Sequence, residues 1–189
     1  MPRKPRDDVG GAVQHVYARG NAKQHIYLDD VDRARYLALL AQAVGRYRWR
    51  CLAFCLMDNH VHLLLETPLP NLGSGMQRTH GLYAQSFNRR HGRSGHLFQG
   101  RFGSVLVTSH AQLLMTVRYI ARNPVEACLC EDAAQWPWSS HGALITSTWP
   151  AWLDASRLLG YLGADGGDPL RRYEHLVGWT EPRALAHAA

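Results

Sequence analysis

The segment Cys51–Glu66 most narrows what this chain can become. Cys-Leu-Ala-Phe-Cys-Leu-Met runs into Asp58-Asn59 and out again through His-Val-His-Leu-Leu-Leu-Glu. Two apolar runs about a tight Asp-Asn turn predict an antiparallel hairpin, with strands over 51–57 and 60–66. Side chains alternate between faces along a strand, so Val61, Leu63 and Leu65 share the core face while His60 and His62 share the other. The two imidazoles would then stand about 7 Å apart by strand rise and could converge on one divalent cation. Taken alone, the pattern fits a hydrogen-bonded sheet pair equally well.

Around this hairpin the remaining elements follow from period and punctuation. Val13–Arg19 predicts a strand closed by Gly20-Asn21. Asp29 or Asp30 can cap a helix whose stripe, Tyr36, Leu37, Leu39, Leu40 and Val44, runs to about Tyr47. Pro68, Pro70 and Gly73 separate the hairpin from a helix over 75–90, with a basic loop over 89–96 behind it. Strand pieces are expected within 98–108, and a helix from His110 to Asn123 ended by Pro124. Asp154 and Asp168-Pro169 start two shorter helices. The order β-α-β-β-α-β-α predicts an α+β fold of ferredoxin-like or RRM-like type: an antiparallel sheet with helices on it, plus a small helical C-terminal tail. The expected divisions are a flexible basic arm (1–12), a catalytic domain (13–145) and the tail (146–189).

Charge separates the chain into three parts. Residues 1–66 carry +3, residues 67–125 carry +7 and residues 126–189 carry −4. The middle part has seven arginines and no Asp, Glu or Lys, which predicts a positive surface able to draw in phosphate backbones. Arginine also suits bidentate phosphate and guanine contacts. No run of 18 apolar residues occurs and no apolar stretch follows the N-terminal basic residues, so neither a membrane span nor a secretory signal is read, and a cytoplasmic, nucleoid-associated location is expected. Cys51, Cys55, Cys128 and Cys130 lack the usual zinc spacing and read as buried thiols.

Tyr119 and Asn123 lie four residues apart on a predicted helix and therefore share a face. A tyrosine that attacks phosphorus must lose a proton held with a reference pKa of about 10. A nearby cation would ease that loss. Asn123 could add an oxygen ligand to the two histidines; alone, the pair also fits packing and a helix end. Glu66 shares strand parity with the histidines. Phe98 lies among arginines, where a ring can stack on bases.

Six segments occur in a telling order: Arg19-Gly20-Asn21, Cys55–His62, Phe87–His91, Gly95–Phe102, Arg118–Val125 and Trp138-Ser139-Ser140. Together, over about residues 13–141, they resemble the REP-associated tyrosine transposases, relatives of insertion-sequence transposases with a His-hydrophobic-His pair and one tyrosine. The resemblance implies a Mg²⁺- or Mn²⁺-dependent enzyme that nicks and joins single-stranded DNA beside REP-type palindromic hairpins. Its intermediate would be a 5′-phosphotyrosine. It implies Tyr119 as nucleophile and His60, His62 and Asn123 as metal ligands. For DNA contact it implies Arg19, Gly20, Asn21 and the basic region 89–103, with Arg89, Arg90, Arg93, His96, Phe98, Gln99 and Arg101. The charge pattern adds Arg78, Arg118 and Arg122. Asp58 and Ala22-Lys23-Gln24 depart from the family pattern. The REP-associated branch is expected to act as monomers and insertion-sequence relatives as dimers, and the sequence leaves both open. The main alternative is a hairpin-binding protein that does not cut. A second is a zinc hydrolase that uses water in place of tyrosine.

Overall fold

The computed structural model describes residues 9–163 and 166–178. Most of the expected basic arm (residues 1–8) and the end of the tail (179–189) lie outside the described residues. Strands β1 (Ala12–Arg19), β2 (Arg50–Leu56), β3 (His60–Thr67) and β4 (Gly103–Val107) form one antiparallel sheet in the order β2-β3-β1-β4. Helix α1 (Asp30–Tyr47) follows β1, α2 (Leu72–Arg90) follows β3, and α3 (His110–Glu126) follows β4. This is the βαββαβ plan with a further helix, the ferredoxin-like architecture read from the sequence. Helices α4 (Ser140–Ile145), α5 (Ala155–Leu162) and α6 (Pro169–Gly178) complete the described chain.

Both faces of the sheet are covered, which is why β3 is buried at every position after His60. One core joins Val16, Ala18, Val61, Leu63 and Leu65 to the stripes of α1 and α2. The other packs Leu52, Ala53, Cys55 and Leu64 beneath Val117 and Ile120 of α3, with Leu158, Leu162, Tyr173 and Val177 of the C-terminal helices. Each fully buried aliphatic side chain contributes about 1.5–3 kcal/mol. A bulge between Cys51 and Ala53 shifts the β2 register, so Leu52 and Ala53 both serve the second core.

Local chemistry sets the element ends. Asp29 caps α1, its carboxylate accepting the Asp32 N–H at 3.1 Å, and Ser109 caps α3 through the Gln112 N–H at 3.1 Å. The expected stop at Pro124 is corrected: α3 runs on to Glu126 with Pro124 inside it. Pro124 forfeits a single N–H bond, and the turn continues through Ala127 N–H to Asn123 C=O at 3.0 Å. The expected strand pieces over 98–108 shorten to Gly103–Val107, with one isolated bridge between Gly20 and Phe98. The Trp-Pro-Trp-Ser-Ser segment lies along β2. Trp136 Nε1 donates to the Leu56 carbonyl at 3.0 Å, and Ser140 Oγ accepts the Phe54 N–H at 3.0 Å. Cys51 and Cys55 are buried as expected, whereas Cys128 is exposed and Cys130 half-buried because both sit in the turn after α3.

Glu66 ties the C-terminal helices to the sheet and takes no part in the histidine site. Its carboxylate accepts from Arg157 Nε at 2.9 Å, Tyr161 Oη at 3.1 Å and Arg50 Nη1 at 3.2 Å. Burial pushes its carboxyl up, but the bonds from Arg157 and Tyr161 and the charges of Arg157 and Arg50 outweigh it and hold the group below its usual range. A depressed carboxylate contributes stability above its unfolded value of about 4.3. That stability is lost as pH falls through the lower folded value. Glu66→Gln is therefore expected to lower stability at neutral pH by about 1–3 kcal/mol. Urea titrations across pH should show the gap to the native chain constant above about pH 5 and closing below about pH 4.

Candidate active site

Tyr119, His60, His62 and Asn123 come together at one end of the second core. Strand β3 presents the two histidines on the face that α3 crosses, with ring centroids 5.0 Å apart. Leu113, Val117, Ile120 and Ala121 seat α3 on the sheet. That seating turns Asn123 inward and leaves Tyr119 at the rim, 46% exposed. The Tyr119 ring meets His62 edge-on at 5.1 Å between centroids. Asn123 Oδ1 lies 3.0 Å from His60 Nε2.

Two further side chains of this cluster come from β1 and were not singled out in the sequence. Pairing of β1 with β3 sets Tyr17 opposite His62 and Arg19 opposite His60. His15 reaches diagonally so that its Nε2 lies 3.0 Å from His62 Nδ1, and its ring lies 5.9 Å from that of Tyr119. The alternation His15-x-Tyr17-x-Arg19 beside His60-x-His62 carried the signal, but it becomes legible only once the strand pairing is known.

Burial is the main influence on these imidazoles. It pushes His62 down to about 3, helped by the charges of His15, His60 and Arg19. Burial also lowers His60, where the Asn123 amide oxygen, which could accept from a protonated ring, opposes it, and it lowers His15. All three are therefore neutral at physiological pH, the form that can offer a lone pair.

The polar atoms around the histidines fit a cation. His62 Nε2 is buried without a hydrogen-bond partner. Asn59 Nδ2 donates to the Lys23 carbonyl at 3.0 Å, which turns Asn59 Oδ1 toward His60 Nδ1 at 2.7 Å. With its proton at Nδ1, neutral His60 points a lone pair from Nε2 at Asn123 Oδ1. Two acceptors facing at 3.0 Å repel unless the Asn123 amide rotates or a cation sits between them. Among the described residues no group of three His, Cys, Asp or Glu side chains is placed to hold a metal ion; a cation at the two histidines would have to take its third protein donor from the Asn123 amide oxygen. Oxygen donors suit Mg²⁺ and Mn²⁺.

Residues 10–123, more than half of the chain, match the family model for IS200-like transposases. The chain belongs to the IS200-like transposase family. A curated relative from Haemophilus influenzae, provisionally named a REP-associated tyrosine transposase, is 27% identical over 110 residues, covering 52% of this chain and 62% of the relative. The chain thus spans less than two thirds of that relative's length. A solved structure of a REP-associated tyrosine transposase bound to a REP hairpin superposes with a TM-score of 0.65 at 17% identity, covering 82% of this chain and 93% of that one. At that identity the likeness speaks to the fold.

On this IS200-like frame the candidate DNA-contacting residues separate into groups. Arg19, Gly20 and Asn21 are stitched to the 95–102 loop: the Asn21 N–H donates to Leu97 C=O and the Gln99 N–H to Arg19 C=O, both at 2.9 Å. Arg19, Asn21, His96, Gln99 and Arg101 are exposed there, and the loop and α2 border a groove of about 950 Å³. Phe98 is buried and stacked on His80 at 4.4 Å, so its ring is committed to the core rather than presented to a base. Arg93 donates to Gln24 Oε1 at 2.6 Å, and Arg89 is exposed at the end of α2. Others are held elsewhere. Arg78 lines a cleft between α1 and α2. Arg90 pairs with Asp29 at 2.6 Å and Asp32 at 2.7 Å. Arg122 donates to the Val177 carbonyl of α6 at 3.0 Å. Arg118 precedes the tyrosine and is half-buried.

Of the two departures from the family pattern, Asp58 has a structural explanation and the Ala22-Lys23-Gln24 segment has none. Asp58 accepts from Arg33 Nη2 at 2.6 Å, anchoring a guanidinium that also faces the rings of Tyr27, Trp136 and Trp138. Ala22 and Lys23 take up left-handed backbone, with φ of 49° and 59°. Gly20 must stay glycine, because an added Cβ would overlap the Gln24 carbonyl oxygen and crowd Ile26. Gly20→Ala is expected to cost about 3 kcal/mol through overpacking and to pull Arg19 out of line with His60. A melting curve beside a hairpin-binding isotherm checks this, and unchanged melting would contradict it.

Proposed function

We propose that this chain is a metal-dependent single-strand DNA nickase and strand transferase acting at REP-type palindromic hairpins, with Tyr119 as nucleophile. The observation that carries the reading is that one helix delivers both Tyr119 beside His62 and Asn123 Oδ1 beside His60 Nε2. The substrate class comes from the relatives: one bears the REP-associated name and the other was solved with a REP hairpin.

In this reading His60, His62 and Asn123 would be the residues that hold Mg²⁺ or Mn²⁺, the histidines offering Nε2 and the amide its Oδ1. When bound, the cation supplies charge neutralisation at the scissile phosphate. Arg19, paired across the sheet with His60, adds a fixed positive charge where the phosphate would lie. Tyr119 Oη forms a bond to phosphorus and gives up its proton to solvent. The 3′ oxygen of the preceding nucleotide leaves with its bonding pair and is protonated to a free 3′-hydroxyl. Attack by a 3′-hydroxyl on the phosphotyrosine reverses the step and releases Tyr119, so strands are joined without ATP. The exposed groups Asn21, His96, Gln99 and Arg101 lie one strand away and would steady the flanking DNA.

The test is a denaturing gel of the protein with labelled hairpin DNA from the flanks of its own gene, with and without Mn²⁺. A metal-dependent covalent protein–DNA band is expected. Cleavage without that band would assign the attack to water, and binding without cleavage would leave a hairpin-binding protein.

A further inference from the structure

We propose that His15 is a positioning residue that fixes the tautomer of His62, so that His62 Nε2 is held as a bare lone pair facing the reaction site. The inference rests on the metal-dependent reading above and names a residue outside the His-hydrophobic-His pair.

A neutral imidazole carries a single N–H, and the 3.0 Å bond between His15 Nε2 and His62 Nδ1 requires one ring to donate. If His15 donated, the proton of His62 would sit on Nε2, which is buried and without an acceptor. Sealed N–H groups lacking an acceptor are rare in folded proteins, rarer than acceptors lacking a donor. If His62 donates from Nδ1, its proton is paired and the sealed Nε2 carries electrons alone. His15 is only half-buried, so its own proton can reside on Nδ1 at little cost.

His60 follows the same rule by a different route. Asn59 Oδ1 accepts from His60 Nδ1 at 2.7 Å, and the Lys23 carbonyl locks the Asn59 amide in that orientation. Each histidine therefore has its Nδ1–H tied behind it and its Nε2 directed forward. One partner is a turn residue next in the chain; the other is a histidine brought from β1 by strand pairing. Groups that hold the far nitrogen of a metal-binding histidine set both its tautomer and its ring orientation.

His15→Leu removes the acceptor, and His15→Gln offers an amide oxygen in its place. Two readouts apply to the whole protein: nitrogen-15 NMR of the histidine tautomers without metal, and Mn²⁺ affinity followed by electron paramagnetic resonance. Native His62 is expected to carry its proton on Nδ1. His15→Leu is expected to lose that preference and to weaken Mn²⁺ binding about 10–100-fold, while His15→Gln stays within about 3-fold of native. Metal-free His15→Gln should melt like the native protein, whereas His15→Leu, which leaves a buried His62 nitrogen without a partner, should melt lower. Affinities and spectra are therefore read well below both melting points, where native-like NMR spectra of the folded variants separate positioning from folding. A His62 proton on Nε2 in the native protein, or native Mn²⁺ affinity in His15→Leu, would overturn the inference. If the native protein binds Mn²⁺ no better than a His60→Ala chain, the metal reading fails. The tautomer result then decides the role of His15 by itself: a preference lost in His15→Leu sustains it, and a preference kept overturns it.

Discussion

Tyr119→Phe is expected to fold and bind hairpin DNA like the native chain, yet to lose covalent adduct and strand cleavage by on the order of 10³-fold or more. The substitution removes one oxygen from a side chain that is 46% exposed. The residues seating α3, Leu113, Val117, Ile120 and Ala121, are untouched. The ring itself stays, so its edge contact with His62 at 5.1 Å is kept. A loss confined to chemistry, with native melting and native hairpin affinity, is the signature of a nucleophile. Unchanged cleavage would transfer the attack to water. Of the chain's other tyrosines, Tyr17 is also exposed near the histidines, with its ring 6.4 Å from that of His62. It belongs to β1, away from the helix that carries Asn123, and Tyr17→Phe is the matching control.

His62→Leu is expected to do two opposite things. His62 is 7% exposed and its Nε2 has no partner. A buried unsatisfied polar atom costs about 1–3 kcal/mol. Leucine fills a similar space without that penalty, so the metal-free variant should be more stable than the native chain by about 1 kcal/mol. His15 loses its partner, but it is half-buried and can turn to water. Mn²⁺ binding and adduct formation should both disappear. Urea denaturation of the metal-free proteins, beside the adduct gel, reads both effects. Lower stability in the variant would mean that the imidazole supports the fold, contrary to a residue retained for its lone pair.

The hairpin, the helix order and the ferredoxin-like plan were legible because each rests on local signals. Alternation with an Asp-Asn turn marks the hairpin, and an aspartate cap with an apolar stripe marks α1. Strand parity placed His60 with His62 and helix spacing placed Tyr119 with Asn123, but that the two pairs belong together was implied only by the family resemblance; the packing of α3 on β3 is what brings them side by side. What escaped depends on contacts between distant segments. His15 enters the cluster only through the β1–β3 register, and nothing in Gln-His-Val-Tyr alone announces it. Glu66 shares the parity of the histidines, yet it is claimed by Arg157 and Tyr161 from about ninety residues away. Phe98 and Arg90 looked suited to DNA because of their basic surroundings. The fold spends the first on a stack with His80 and the second on Asp29 and Asp32. The middle segment's excess of arginine is real, but part of it is neutralised by carboxylates that α1 brings from outside that segment.

The most direct test of the account is to map the covalent attachment. The adduct formed with hairpin DNA and Mn²⁺ would be digested with nuclease and trypsin, and the peptides read by mass spectrometry. The prediction is a nucleotide 5′-phosphate on Tyr119, within the peptide that begins after Arg118 and ends at Arg122. A nucleotide on any other residue, or cleaved DNA with no modified peptide, would contradict it.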